Sequence, residues 1–215
     1  GRGGDLSASD VRDLGPEGIS FSLRFGDEIQ PCRLPLAGIH NADNASLAAA
    51  AGLISGVSLS EAAAAFAGVS GFARRMDVQK CGEVTIIDDS YNASPQSVMA
   101  AIDFLSSCGS RRRIAVLGTM RELGSESESG HLQVGRHLAG RGIDILVTIG
   151  DEGRLYAEGA RGDKALQSVC FDNADMAQQF LFGQIKPGDA VLLKGSNITC
   201  VASVAENLRK HYRGE

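Results

Sequence analysis

The stretch IIDDSYNASP, residues 86–95, places two adjacent carboxylates directly after a short apolar run and before a polar turn that ends in proline. Residues 84–87 predict a buried strand, and residues 97–105 predict the helix that follows it. In an open α/β sheet, ligands gather at the carboxyl ends of the strands, where an aspartate can accept hydrogen bonds from both hydroxyls of a ribose. Asp88 and Asp89 are therefore candidate ligand-binding residues. The alternative is that one caps the turn and the other is solvated, and position alone leaves both interpretations open.

The alternation of strand and helix continues to the end of the chain. The further strands are predicted at 114–117, 143–148, 167–171 and 190–193, and the further helices at 130–139, 152–159, 174–182 and 201–210. A βαβα order implies a parallel sheet with helices on both faces. From about residue 74 onward we therefore predict an α/β fold with a doubly wound, mostly parallel sheet of five or six strands.

The first third of the chain has a different pattern. Its predicted elements are a β-hairpin over 19–25 and 29–36 with the turn signal Gly26-Asp27, and two helices over 41–53 and 58–66. Alternating apolar and polar residues indicate the strands, and capping residues followed by alanines indicate the helices. We expect a small α+β part that ends near residue 73, with the glycine-rich segment 68–75 as the linker.

The composition is that of a globular protein with a core of its own. The chain has 215 residues, of which 43% are hydrophobic, and a formal net charge of −5. Its longest basic run is the three arginines at 111–113, which argues against a nucleic-acid partner. Apolar runs fall well short of the roughly 20 residues that span a bilayer, so no membrane span is expected.

The cysteines and the first residues bear on the cellular context. The five cysteines are odd in number, scattered and never in a CxxC pair, which favours a reducing cytoplasm over a disulfide framework or a zinc site. The start GRGGDLSASD has neither a methionine nor the features of a signal peptide. We expect that the chain was processed, excised or cloned from something longer.

Two further segments carry candidate binding residues. LLKGSNIT, residues 192–199, places Lys194 and Ser196 where an anionic group can be held at a helix N-terminus, although a turn with an exposed lysine is the alternative. His40, Asn41 and Asn44 surround a helix start, where amides three residues apart suit the edge of an adenine. Helix capping is the alternative for one asparagine.

Taken together, these motifs resemble the Mur ligase family over the whole chain. The segments that carry the resemblance are GIHNADN, IDDSYNASP, LGTMRELGSESESGH and LLKGS. The resemblance implies that residues 1–73 are the C-terminal part of the family's central ATP-binding domain and that residues 74–215 are its complete, Rossmann-like C-terminal domain. The turn DSYNASP matches the members that add D-alanyl-D-alanine, whereas members that add other residues carry histidine-containing turns.

The resemblance also implies a reaction. ATP phosphorylates the carboxylate of a UDP-N-acetylmuramoyl-tripeptide, and the amine of D-alanyl-D-alanine attacks the resulting acyl phosphate, with Mg²⁺ stabilising the transferring phosphoryl group. The 215 residues contain no GxxxxGK[ST] P-loop. We expect the catalytic residues and metal ligands upstream of this chain, and we expect the chain alone to be inactive.

Individual roles follow from the same resemblance. The nucleotide side comprises the HNxxN stretch of His40, Asn41 and Asn44, whose second asparagine faces the adenine, with Arg75 toward the phosphates and Asp89 at the ribose. The acceptor-dipeptide side comprises Tyr91, Asn92, Lys194 and Ser196. Two residues depart from the family pattern, because Thr119 stands where an acid is usual and Asn197 where an arginine is usual. The competing hypothesis is a free-standing nucleotide- or metabolite-binding module with the same fold and no ligase activity.

Overall fold

The computed structural model describes residues 5–69 and 73–214. The chain divides into two compact units, Gly1–Phe72 and Ala73–Glu215. The predicted linker 68–75 lies partly outside the described residues, which do not include 70–72. Within the described ranges, every helix is too short or too polar to cross a bilayer.

The first unit contains a three-stranded antiparallel sheet and two helices. Its elements are β1 (Leu6–Asp13), β2 (Ile19–Phe25), β3 (Glu28–Leu34), α1 (Asn41–Ile54) and α2 (Leu59–Phe66). The predicted hairpin is confirmed, because β2 and β3 pair from Ile19 opposite Leu34 to Phe25 opposite Glu28. Strand β1, which pairs with β2, was not predicted from the sequence.

Helix α2 begins with a reciprocal pair of hydrogen bonds. The Ser58 hydroxyl accepts from the Glu61 backbone N–H at 3.3 Å, and the Glu61 carboxylate accepts from the Ser58 backbone N–H at 2.9 Å. Hydrogen bonds from the Ser58 side chain and backbone lower the pKa of Glu61. This capping box satisfies two donors that a helix start otherwise leaves unpaired.

The second unit is a six-stranded sheet with helices on both faces, and it confirms the predicted α/β class. Its elements are β4 (Asp77–Cys81), β5 (Val84–Asp89), α3 (Pro95–Ser107), β6 (Arg112–Gly118), α4 (Ser127–Leu138), β7 (Ile145–Ile149), α5 (Gly153–Gly159), β8 (Gln167–Phe171), α6 (Ala174–Gln184), β9 (Asp189–Lys194) and α7 (Val201–Arg213). The strand order is β4-β5-β9-β6-β7-β8. Only the pairing of β4 with β5 is antiparallel among these described strands.

The helices divide between the two faces of this sheet. One core cluster joins alternate strand residues such as Ile86, Val116 and Leu193 to α6 and α7. Because neighbouring strand residues point to opposite faces, the residues between them face α3, α4 and α5. The loops after β5 and β6 lead to helices on one face of the sheet, and the loop after β9 leads to α7 on the other face. The loop after β9 therefore diverges from the loops on either side of it. Such a switch point is where open α/β sheets form ligand crevices.

Helices α4 and α5 approach so closely that side chains are excluded from their contact. A Cβ atom placed on Gly135 would lie 2.2 Å from the backbone oxygen of Tyr156. A Cβ on Gly159 would lie 2.4 Å from the backbone oxygen of Leu132. Glycine at both positions therefore permits direct packing of the two helix backbones.

Candidate functional site

The carboxyl ends of β5 and β9 meet in a buried ion pair. Asp89 lies opposite Lys194 in the parallel register of the two strands. The Lys194 Nζ atom donates to Asp89 Oδ2 at 2.6 Å and to the backbone oxygen of Asn92 at 2.9 Å. The Lys194 side chain is 3% exposed, so the alternative of a turn with an exposed lysine is wrong.

The Asp89 carboxylate is oriented by a second donor. Its Oδ1 atom accepts a hydrogen bond from the Met76 backbone N–H at 3.0 Å. The Asp89 side chain is 13% exposed, compared with 2% for Asp88. Of the two carboxylates that the sequence left as alternatives, Asp89 is thus the more accessible one.

Asp88 is held within the protein. Its Oδ1 atom accepts from the backbone N–H of Ser90 at 3.1 Å and from the Ser90 hydroxyl at 2.5 Å, and its Oδ2 atom lies 3.2 Å from Arg209 Nη1. These contacts form an Asx-type turn and attach α7 to the end of β5. They are the contacts of a structural residue.

Arg74 connects the start of the second unit to two loops of the site. Its Nη2 atom donates to the backbone oxygen of Ser90 at 3.0 Å and to Oδ1 of Asn197 at 2.7 Å. Its own backbone oxygen accepts from the Tyr91 N–H at 3.0 Å. Arg74 was not among the residues predicted from the sequence, because nothing in the local pattern distinguishes it from Arg75.

Arg75 and Tyr91 are in direct contact. The Arg75 guanidinium carbon lies 4.2 Å from the centroid of the Tyr91 ring, a cation–π geometry. Tyr91 nevertheless remains 52% exposed. A residue expected at the phosphates and one expected at the acceptor dipeptide are therefore neighbours on the same edge of the sheet.

Ser196 follows the end of β9 and connects this loop to the loop after β6. The Ser196 hydroxyl accepts from the Arg121 backbone N–H at 2.8 Å, and the Ser196 N–H donates to the Thr119 backbone oxygen at 3.4 Å. Ser196 and Thr119 are 5% and 1% exposed. The two loops thus pack tightly against each other between β6 and β9.

The Tyr156 side chain holds the start of the loop after β6. Tyr156 was not among the residues predicted from the sequence. The Tyr156 hydroxyl donates to the Gly118 backbone oxygen at 3.0 Å, and its side chain is fully buried. Burial, followed in size by the nearby charge of Glu152, raises the pKa of Tyr156. Its hydroxyl therefore stays protonated and keeps its role as a donor.

The predicted adenine residues lie in the first unit. Asn41 Nδ2 donates to the Ala37 backbone oxygen at 2.9 Å, and Asn44 Nδ2 donates to Asn41 Oδ1 at 3.0 Å. Asn41 thus fixes the turn before α1 and orients the Asn44 amide, which is exposed. His40 is also exposed, with its ring against Gly38.

The His, Cys, Asp and Glu side chains are the candidate metal ligands. In residues 5–69 and 73–214, three or more of these groups never come together in a way that would hold an ion.

Comparison with known proteins gives a consistent result. Residues 74–197 match the family described as Mur ligase, glutamate ligase domain. The UDP-N-acetylmuramoyl-tripeptide–D-alanyl-D-alanine ligase of Mycobacterium bovis is 34% identical, over 87% of this chain and 41% of that protein. The corresponding ligase of Bacillus subtilis is also 34% identical, over 81% of this chain and 39% of that protein.

Solved structures extend the similarity to the fold. MurF from Acinetobacter baumannii has a TM-score of 0.88 and 31% identity, covering 98% of this chain and 46% of that one. The MurF ligase of Thermotoga maritima, solved in complex with ADP, has a TM-score of 0.80 at 22% identity, covering 99% of this chain and 48% of that one. The chain spans about two fifths of the length of the first curated relatives, 41% for the M. bovis ligase.

Proposed function

Because the chain belongs to the Mur ligase family, we propose that it is part of an ATP-dependent ligase that joins D-alanyl-D-alanine to UDP-N-acetylmuramoyl-tripeptide in peptidoglycan precursor synthesis. The observation that carries the proposal is the meeting of two distant motifs at one sheet edge. Lys194 joins the DSYN turn and the KGS loop there, because its ammonium group donates hydrogen bonds to the Asp89 carboxylate and to the Asn92 backbone oxygen. The similar proteins from M. bovis and B. subtilis are named for that reaction.

The proposed reaction proceeds through an acyl phosphate. The γ-phosphoryl group of ATP passes to the tripeptide carboxylate, the amine of D-alanyl-D-alanine attacks the activated carbonyl carbon, and inorganic phosphate leaves with the former carboxylate oxygen. Binding and orientation supply most of the catalysis in phosphoryl transfer. The part played by this chain is accordingly to bind and orient, and no step is assigned to a metal held by its described residues.

Each unit has its own candidate nucleotide-binding residues. In the second unit, Asp89 accepts the ribose hydroxyls, since its carboxylate lies beside Lys194 at the end of a strand. Arg75 is exposed and carries a fixed charge suited to phosphate oxygens. In the first unit, Asn44 presents an oriented amide to adenine, with His40 and Asn41 supporting the same turn.

On the acceptor side, the buried residues act differently from the exposed ones. Tyr91 and Asn92 are exposed and face the dipeptide. Lys194 and Ser196 are too buried for that contact, being 2% and 5% exposed. They hold the two loops in place through the Asn92 backbone oxygen and the Arg121 backbone N–H.

Titration of the isotope-labelled chain with D-alanyl-D-alanine, followed by amide NMR, tests the acceptor site. Shifts should concentrate in residues 90–94 and 195–198, and L-alanyl-L-alanine serves as the matched control for chirality. Shifts elsewhere, or equal responses to both dipeptides, would contradict the assignment.

A turnover assay separates the ligase proposal from the free-standing module. The chain is incubated with Mg-ATP, D-alanyl-D-alanine and UDP-N-acetylmuramoyl-tripeptide, and phosphate release is measured beside calorimetric ATP binding. We expect no turnover and only weak ATP binding, because the 215 residues lack a P-loop. Micromolar ATP affinity without turnover would favour the free-standing module, whereas turnover above a buffer blank would overturn the expectation that the chain is inactive alone.

A further inference from the structure

Arg74 makes contacts that reach across the second unit. Its guanidinium group donates hydrogen bonds to the backbone oxygen of Ser90 in the 90–94 loop and to the side chain of Asn197 in the 195–200 loop. Asn197 is 123 residues from Arg74 in the sequence. The Arg74 Nε atom adds a longer contact of 3.4 Å to the Ser90 hydroxyl. A planar guanidinium with several donors can bridge two acceptors in this way, whereas a lysine ammonium is a single point charge.

The backbone around Arg74 adopts a conformation that side chains disfavour. Arg74 has a φ of 66° and Met76 a φ of 47°, both in the left-handed region. Such conformations persist only where surrounding contacts enforce them. Here the Arg74 backbone oxygen accepts from the Tyr91 N–H, and the Met76 N–H donates to Asp89. The side chain and the backbone of this segment are thus anchored to the same sheet edge.

The identity of residue 197 fits this arrangement. Asn197 presents a neutral carbonyl oxygen 2.7 Å from the Arg74 guanidinium. An arginine at position 197, the residue expected from the family pattern, offers no acceptor and would place a second cation beside the first. The departure at Asn197 is therefore matched to the presence of Arg74.

We propose that Arg74 and Asn197 form a clasp that sets the spacing of the 90–94 and 195–200 loops, with Arg74 as a positioning residue for the acceptor dipeptide. The role at the dipeptide rests on the function proposed above, whereas the clasp itself does not. Arg74 is the second residue of its unit, so the clasp connects the start of the unit to both loops.

Amide hydrogen exchange in the full 215-residue chain tests the clasp without any ligand. Arg74→Ala and Asn197→Ala should each raise exchange about tenfold in both loops, the factor expected from one lost charge-assisted hydrogen bond. Because Arg74→Ala already removes the contacts to both loops, the double variant should exchange no faster than Arg74→Ala alone. Protection in β5, β6 and β9 should stay unchanged, which also shows that the variants fold. Arg154→Ala is the matched control, since Arg154 is 77% exposed and lies 3.9 Å from Asp172.

Two substitutions at position 197 distinguish a specific bond from loss of bulk. Asn197→Asp keeps an acceptor and should preserve protection in both loops, whereas Asn197→Arg should raise exchange at least as much as Asn197→Ala. Additive effects of the two alanine substitutions, or normal protection in Asn197→Arg, would overturn the clasp.

The dipeptide role is measured separately by the NMR titration. The clasp variants should bind D-alanyl-D-alanine about tenfold more weakly than the natural chain, with Asn197→Asp restoring affinity. Unchanged affinity in chains with loosened loops would overturn the positioning role. Absence of binding by the natural chain would instead overturn the proposed function, so the two failures are distinguishable.

Discussion

Asp89 and Lys194 form the most buried ion pair at the candidate site, with 13% and 3% of their side chains exposed and 2.6 Å between their charged atoms. Removing one partner of such a pair leaves the other charge buried and uncompensated, which typically costs about 3–5 kcal/mol. We expect Asp89→Asn to lower the free energy of unfolding by about 3 kcal/mol in urea titrations. A loss of ATP binding in this variant has to be corrected for the unfolded fraction.

The double variant Asp89→Asn with Lys194→Met is the control for this prediction. Replacing both charges by neutral side chains removes the unpaired ammonium, so most of the lost stability should return. If the double variant were no more stable than Asp89→Asn alone, lost packing rather than an unpaired charge would explain the effect.

Among the strands, β1 and β4 are the two that were not predicted from the sequence. Strands β5, β6, β7 and β9 are buried along most of their length, which gives the continuous apolar runs of a central parallel strand. Strand β4, DVQKC, lies at the edge of the sheet and is mostly polar. Strand β1 is largely exposed and contains an irregularity between Ser9 and Arg12. Neither has a pattern that distinguishes it from a loop.

The candidate site was predictable only in part, for a related reason. The strand ends that carry Asp89 and Lys194 were identified, but their ion pair depends on β9 inserting beside β5, a contact between residues 105 apart. The clasp through Arg74 depends on positive φ angles at Arg74 and Met76. A positive φ at a non-glycine residue cannot be predicted from the residue type. Long-range strand order and tertiary strain are thus the two properties that local periodicity leaves undetermined.

The contact of α4 with α5 predicts a sharp contrast between two glycines that both lie in helices. Gly135→Ala would place a methyl group 2.2 Å from a backbone oxygen, and overpacking of this kind typically costs about 1–3 kcal/mol. Gly183→Ala in α6 meets nothing within 4 Å and should be neutral or stabilising by up to about 1 kcal/mol. Thermal unfolding of both variants beside the natural chain gives the comparison. Similar melting temperatures for the two would show that α4 and α5 can separate at little cost.

The capping box of α2 predicts a dependence on pH. Hydrogen bonds from Ser58 lower the pKa of Glu61 in the folded state. Stabilisation from this group is therefore present above the unfolded pKa, about 4.3, and is lost as the pH falls through the lower folded value. Exchange of the α2 amides, corrected for intrinsic rates, should rise on acidification below about pH 4. In Glu61→Gln this added rise should be absent, and an identical pH profile would count against the capping role.

At the scale of the whole molecule, each unit has its own core. Helices α6 and α7 enclose one apolar cluster with the six-stranded sheet, while α1 and α2 enclose another with β2 and β3. We expect residues 73–215, expressed alone, to keep the amide spectrum that they show in the full chain. Loss of dispersion in that spectrum would mean that the second unit does not fold by itself.

The first unit should be the less stable of the two. It has the smaller sheet, and Leu47 and Ile54 on α1 are 72% and 89% exposed. We therefore expect faster global exchange in β2 and β3 than in β5 and β9 within the same chain. Equal protection of the two sheets would contradict this order.

Strand β9 is synthesised after the other five strands of its sheet, yet it lies between β5 and β6 in the finished sheet. While the chain is still emerging from the ribosome, β4 with β5 and β6 with β7 and β8 are two partial sheets with no shared hydrogen bonds. Their inner edges are apolar and unprotected during that interval, and chaperones have the opportunity to bind them. A premature stop codon before Asp189 would therefore yield two unjoined half-sheets rather than a shortened version of the same domain.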